Sequence, residues 1–137
     1  MQARILVADD HEVVRRGIRT ILEERPEWEI CGEARNGLEA IRFARELKPD
    51  VIVLDVTMPL MSGLRAAHEI SQEQPGCKIL MFTMHESKTL SEFARQSGAH
   101  GLVAKNRALD ELIQALDSLL AGRTYFRRNG ELVTQEK

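Results

Sequence analysis

Five polar residues stand where short apolar runs end. Ile5-Leu6-Val7-Ala8 runs into Asp9 and Asp10, Val51-Ile52-Val53-Leu54 into Asp55, Lys78-Ile79-Leu80-Met81-Phe82 into Thr83, and Gly101-Leu102-Val103-Ala104 into Lys105. Each alone has a bland reading. Asp10 could cap a following helix, Asp55 could open a turn with Pro59, and Lys105 could be a solvated loop charge. Together they are more informative, because open α/β sheets build their sites at the carboxyl ends of the strands. Three carboxylates gathered there carry a formal charge of -3, and like charges that close raise one another's pKa or recruit a cation. Lys105 supplies one positive charge and a divalent cation the other two. No His or Cys is expected at the strand ends of the acidic cluster itself, and an all-oxygen donor set favours Mg²⁺. Such a pocket suits phosphoryl chemistry. An Asp can serve as the nucleophile, and a cation, an ammonium and the Thr83 hydroxyl can stabilise the transferred oxygens.

Other phosphate chemistries lack their residues. A dinucleotide site or a P-loop needs glycines after the first strand, where this chain has Ala8-Asp9-Asp10-His11. A flavodoxin-type phosphate loop needs donors there rather than two carboxylates. A phosphatase with an Asp-x-Asp pair is not supported, since Thr57 stands two residues after Asp55. A Mg²⁺-dependent hydrolase lacks an evident general base.

The elements that must position these residues alternate along the chain. The runs above, with Glu29–Ala34, read as five strands, and three of them are continuously hydrophobic, as strands covered on both faces must be. Between them lie helical patterns. Val13, Val14, Gly17, Ile18, Ile21 and Leu22 form an apolar stripe, with Arg15, Arg16, Arg19, Glu23 and Glu24 expected to face away. Asn36 caps a second helix, with Glu39 three residues on. Ser62 opens a third, which stops near Pro75-Gly76. Leu90, Phe93 and Ala94 mark a weak fourth, ending at Gly98. Leu109, Leu112, Ile113, Leu116, Leu119 and Leu120 make the strongest stripe, closed by Gly122. A strand–helix unit repeated five times implies a parallel sheet with right-handed crossovers. The segment after Gly122 is polar, without helical periodicity, and reads as a tail or a truncated linker.

A length of 137 residues fits one domain. A net charge of -2 argues against a surface built to grip nucleic acid or an anionic membrane. No apolar run reaches the roughly 18 residues that span a bilayer, and the first residues do not form a signal peptide. A cytoplasmic location is therefore expected, with no membrane partner.

The motifs, in their order, resemble the receiver domain of bacterial two-component response regulators. They are Ile5-Leu6-Val7-Ala8-Asp9-Asp10-His11; Val51-Ile52-Val53-Leu54-Asp55 followed by Thr57-Met58-Pro59 and Ser62-Gly63; Met81-Phe82-Thr83; and Gly98-Ala99-His100-Gly101-Leu102-Val103-Ala104-Lys105. The likeness covers about residues 3–121. Asp-Asp-His, Thr83-Met84-His85-Glu86 and Ala121-Gly122-Arg123-Thr124-Tyr125-Phe126 are similar to the NarL/FixJ-type branch, whose LuxR-type helix-turn-helix output domain is absent from this sequence. The resemblance implies a flavodoxin-like (βα)5 doubly wound parallel sheet of strand order 2-1-3-4-5. It divides the chain into a receiver, 1–121, and a tail or truncated linker, 122–137.

It also implies roles. Asp55 would accept a phosphoryl group from a phosphohistidine of a sensor histidine kinase. Mg²⁺ would be held by Asp10 directly, by Asp9 through a water, by Asp55 and by the Thr57 backbone carbonyl. Lys105 would pair with the phosphoryl oxygens and Thr83 would swing in to them. In the family a bulky aromatic three residues before the Lys then moves; here Leu102 takes that switch position. Met84 is larger than the small residue often found there, which narrows access. The chain would be no enzyme beyond its own phosphorylation and dephosphorylation. Its output would leave through the fourth helix, fifth strand and fifth helix, in a homodimer formed on phosphorylation, and reach DNA only through a missing C-terminal domain. The alternative is a stand-alone receiver, acting as phosphorelay or phosphate sink through protein contacts.

His11, His68, His85 and His100 are expected at the surface, His85 being near enough to Thr83 to influence hydrolysis. In that strand order Cys31 and Cys77 lie about 14 Å apart at 4.8 Å per strand, too far for a disulfide, and are expected to be buried thiols. Arg123, Arg127 and Arg128 read as the start of a linker rather than as a nucleic-acid surface.

Overall fold

The computed structural model describes residues 2–128 and 131–135. Five strands, β1 (Ala3–Ala8), β2 (Trp28–Ala34), β3 (Val51–Asp55), β4 (Lys78–Thr83) and β5 (Gly101–Ala104), form one sheet in the order 2-1-3-4-5. All four pairings are parallel. A helix follows each strand, the first four crossing to the next strand: α1 (Glu12–Leu22), α2 (Gly37–Leu47), α3 (Gly63–Glu73), α4 (Lys88–Gln96) and α5 (Ala108–Leu120). This is the flavodoxin-like fold. No helix among the described residues is long and apolar enough to cross a membrane.

Side chains alternate across a strand, so each continuous apolar run feeds two cores. Leu6, Ala8, Ile52, Leu54, Ile79 and Met81 face α2, α3 and α4. Ile5, Val7, Val51, Val53, Leu80 and Phe82 face α1 and α5. Polar side chains cap α2, α3 and α4. Asn36 Oδ1 accepts from the Glu39 amide at 2.8 Å, Ser62 Oγ from Arg65 at 3.2 Å, and Ser87 Oγ from Leu90 at 3.0 Å.

Several expectations need correction. Val13, Phe93 and Leu109, read as stripe residues, face solvent; α4 buries little more than Ser91 and Ala94. Arg15, expected to face away, is nearly buried. His100 is buried too, its Nδ1 accepting from the Ile79 amide at 3.0 Å. Cys77 is a buried free thiol, which burial pushes up to about 12, but Cys31 is only half-buried.

The largest difference lies after Gly122. The chain turns back along β5: the Tyr125 amide donates to His100 O, and the Leu102 amide to Tyr125 O, both at 2.9 Å. Tyr125 and Phe126 enter opposite cores. A short antiparallel pair follows, β6 (Phe126–Arg128) and β7 (Glu131–Val133). Arg127, read as linker, pairs with Glu86 and Glu111. These residues pack as part of the domain because two aromatic side chains find apolar surface beside the last strand of the sheet.

Candidate active site: an acidic crevice at the strand ends

Each strand delivers its polar residue as its pairing ends. β1 stops at Ala8, and the next amide, Asp9 N, still donates to Ala34 O at 3.0 Å. Asp10 lies past the last sheet bond and before α1. Asp55 is the final residue of β3, Thr83 that of β4, and Lys105 follows β5 in a short 3₁₀ turn, Lys105–Arg107. The loop after Asp55 is folded tightly beneath the crevice. The Gly63 amide donates to Val56 O at 2.8 Å, and a Cβ on Gly63 would lie 1.8 Å from Asp55 O, so only glycine fits there.

Asp10, Asp55, Thr57, Thr83 and Lys105 line one crevice of about 640 Å³, with His11, Val14, Met84 and His85. Asp9 is buried and is tied to the crevice through Lys105. The structure thus brings together all the expected site residues except Leu102. That side chain lies beneath α4, in the core shared by Met81, Ala94 and Phe126. Thr83 does not point at Asp55: its hydroxyl donates to His85 O at 3.2 Å and accepts from His85 N at 3.3 Å.

Lys105 joins the two innermost carboxylates. Its Nζ lies 2.8 Å from Asp9 Oδ2 and 3.3 Å from Asp55 Oδ1. Burial works against its ammonium form, but the bond to Asp9 and the field of Asp55 outweigh that and raise its pKa above 10.5. For Asp55 the balance goes the other way. Burial drives its carboxyl up and Asp9 drives it further; Lys105 and the Thr57 amide, 3.3 Å from Oδ1, offset only part, leaving it at about 6. The crevice is therefore short of positive charge.

A cation would supply it. Ligand atoms of Asp9, Asp10, His11 and Asp55 all lie within 4.8 Å of one another. Asp10 Oδ1 is buried and takes no hydrogen bond among the described residues, although His11 Nδ1 stands 3.3 Å from it, so it keeps capacity for a further partner. These residues fit a hard divalent ion such as Mg²⁺. His11 corrects the expectation that no histidine stands at the cluster. Its side chain is exposed, but Nδ1 lies 3.4 Å from Asp9 and 3.3 Å from Asp10, and its amide donates to Asp9 Oδ1 at 2.9 Å. His85 is exposed at the rim.

Sequence reading missed one neighbour altogether. Arg15, on α1, donates through Nε to Glu33 Oε1 at 2.9 Å and through a terminal nitrogen to Asp9 O at 2.7 Å. Arg19 holds the other Glu33 oxygen. Helical periodicity put both on the polar face; nothing in it told how far a long guanidinium reaches.

Residues 5–117 match the family model described as "Response regulator receiver domain". The chain is 37% identical over 122 residues to the response regulator GacA of Pseudomonas aeruginosa, covering 89% of this chain and 57% of GacA. It is likewise 37% identical to the response regulator UvrY of Escherichia coli K12, over 88% of this chain and 56% of UvrY. The chain thus spans little more than half the length of these relatives. Among solved structures, a two-component response regulator of the LuxR family from Aurantimonas superposes with a TM-score of 0.88 at 39% identity, over 94% of this chain and 91% of that one. The isolated REC domain of RcsB from Salmonella enterica, solved with the phosphomimetic BeF3-, gives 0.85 at 25%, over 95% and 96%.

Proposed function

The chain belongs to the response regulator receiver domain family, and on that premise we propose that Asp55 is the acceptor of a phosphoryl group whose arrival this domain turns into a signal. The observation that carries this reading is Lys105 bridging Asp9 and Asp55 inside a crevice that also holds the Asp10, Thr57 and Thr83 side chains.

A carboxylate oxygen of Asp55 attacks phosphorus, and the bond from phosphorus to the donor breaks as the new one forms. The donor is a phosphohistidine of a sensor histidine kinase, or a small acyl phosphate. Asp10, Asp9, Asp55 and the Thr57 backbone carbonyl would hold Mg²⁺. When bound, that ion supplies the positive charge that lets the acceptor, the other carboxylates and a phosphoryl dianion share one crevice. Lys105 is already within reach of Asp55 and can follow the new negative charge outward while Asp9 keeps its Oδ1 bond to the His11 amide. The Thr83 hydroxyl gives up His85 O for a phosphoryl oxygen. Because His85 opens the loop before α4, that exchange pulls on α4, β5 and α5, where Leu102 packs. The chain's chemistry is confined to its own Asp55. Dimerisation through that face, cytoplasmic residence and control of transcription through a DNA-binding region in the length of the relatives that this chain does not span complete the reading.

Intact-mass spectra after treatment with acetyl phosphate and Mg²⁺ test it. One phosphoryl group should add to the wild type and none to Asp55→Asn; a phosphorylated Asp55→Asn refutes the assignment.

A further inference from the structure

Asp9 and Asp10 sit where β1 has left the sheet and α1 has not begun. The Asp9 amide still bonds to β2, through Ala34 O, but among the described residues the Asp9 carbonyl has no strand partner. Arg15 takes it at 2.7 Å. The Arg15 side chain is 11% exposed and its guanidinium is itself fixed, since Nε lies 2.9 Å from Glu33 on β2, whose second oxygen is held by Arg19. Burial alone would raise the Glu33 carboxyl, but Arg19 and Arg15 outweigh it and hold it below its ordinary value. The clamp is charged throughout.

The peptide between Asp9 and Asp10 is a rigid plane. Holding its oxygen therefore sets its tilt, and with it the direction in which Asp10 leaves the backbone. Asp10 lies outside both β1 and α1, so neither element fixes that direction. We propose that Arg15, clamped by Glu33, is a positioning residue for the acidic crevice, fixing the 9–10 peptide so that Asp10 presents its unbonded buried oxygen to the cation. The inference rests on the proposed reading of the crevice as a divalent-cation site. Arg15 touches the backbone and no carboxylate of the crevice, so its removal leaves every ligand in place and loosens only their arrangement. Groups that orient metal ligands typically carry 10- to 100-fold in affinity; one acting through a peptide plane belongs at the low end.

The test is a Mg²⁺ titration followed by backbone amide NMR shifts, without phosphodonor, on wild type, Arg15→Met, Arg15→Lys, Arg19→Met and Glu33→Gln. Arg19→Met removes a Glu33 partner but no contact to Asp9, so it reports what loosening α1 against β2 does by itself. Arg15→Met should raise the half-saturating Mg²⁺ about tenfold, Arg19→Met less than twofold, and Arg15→Lys should recover part of the loss. At saturating Mg²⁺, phosphorylation of Arg15→Met by acetyl phosphate should return to within about twofold of wild type. Wild-type affinity in Arg15→Met, or an equal loss in Arg19→Met, overturns the proposal. If Arg15→Met does not fold, wild-type affinity in both Arg15→Lys and Glu33→Gln does so. A wild type that shows no saturable Mg²⁺ shift overturns the cation reading itself.

Discussion

Neutralising Asp55 should stabilise the metal-free domain, and the structure gives the size. The Asp55 side chain is 5% exposed, and its carboxyl is raised from 3.8 to about 6 by burial and by Asp9, against Lys105. At 1.36 kcal/mol per unit, a shift of about 2 units makes ionised Asp55 a burden of about 3 kcal/mol. Asn keeps an oxygen for Lys105 and the Thr57 amide but brings an NH₂ whose desolvation costs about 1 kcal/mol. The net gain for Asp55→Asn is therefore about 2 kcal/mol. Its pH dependence follows from the raised folded pKa. The folded state holds this proton longer than the unfolded one, so the burden is absent below about 3.8, grows towards 6 and is complete above. Urea unfolding in EDTA, followed through Trp28, the sole tryptophan and nearly buried, reads this directly. The variant should exceed wild type by about 2 kcal/mol at pH 8, and by much less at pH 4.5. A gap of equal size at both pH values, or a variant less stable at pH 8, refutes the electrostatic account.

Three further outcomes are expected. Mg²⁺ at ten times its dissociation constant should stabilise the wild type by about 1.4 kcal/mol, visible in thermal melts, and Asp10→Asn should blunt that shift; equal shifts would remove Asp10 as a ligand. Phe126→Ala should cost about 3–5 kcal/mol in urea unfolding, and Tyr125→Phe about 1 kcal/mol through its 3.1 Å bond to Glu111; losses near zero would mean residues 125–126 do not dock. Glu33→Gln should destabilise at pH 7 but converge on wild type as pH falls below 4.5, because a carboxylate with a lowered folded pKa stabilises above its unfolded value and loses that as it protonates; a gap that does not shrink as pH falls below 4.5 would contradict it.

The sheet and the acidic crevice were legible because both rest on local pattern. A buried parallel strand needs an unbroken apolar run, and a site at the strand ends needs its polar residue immediately after. Asp55 and Lys105 satisfy both rules in plain sequence. Arg15 and Phe126 do not. Arg15 lies on the polar side of its helix and earns its place by reach, across to a glutamate on β2 eighteen residues on. Phe126 sits in a polar stretch with no period to betray it, and its packing depends on an edge created far earlier in the chain. Leu102 was legible as a strand residue, but what stands over it was not.

The seat of Tyr125 also bears on how copies of this chain can meet. An open parallel sheet has two lateral edges, here β2 and β5, and an unpaired edge invites another strand to add to it. On the β5 side the chain has filled part of that edge itself: His100 O and Leu102 N are bonded to Tyr125. Gly101 makes the approach possible, since a Cβ there would come within 3.0 Å of Tyr125 O. A second sheet therefore cannot zip onto β5 through main-chain bonds without first peeling residue 125 away. Any association across this side would have to go through side chains instead, and so would be sensitive to the tilt of the neighbouring helices, whereas a continuous intermolecular sheet would fix the geometry regardless of the helices.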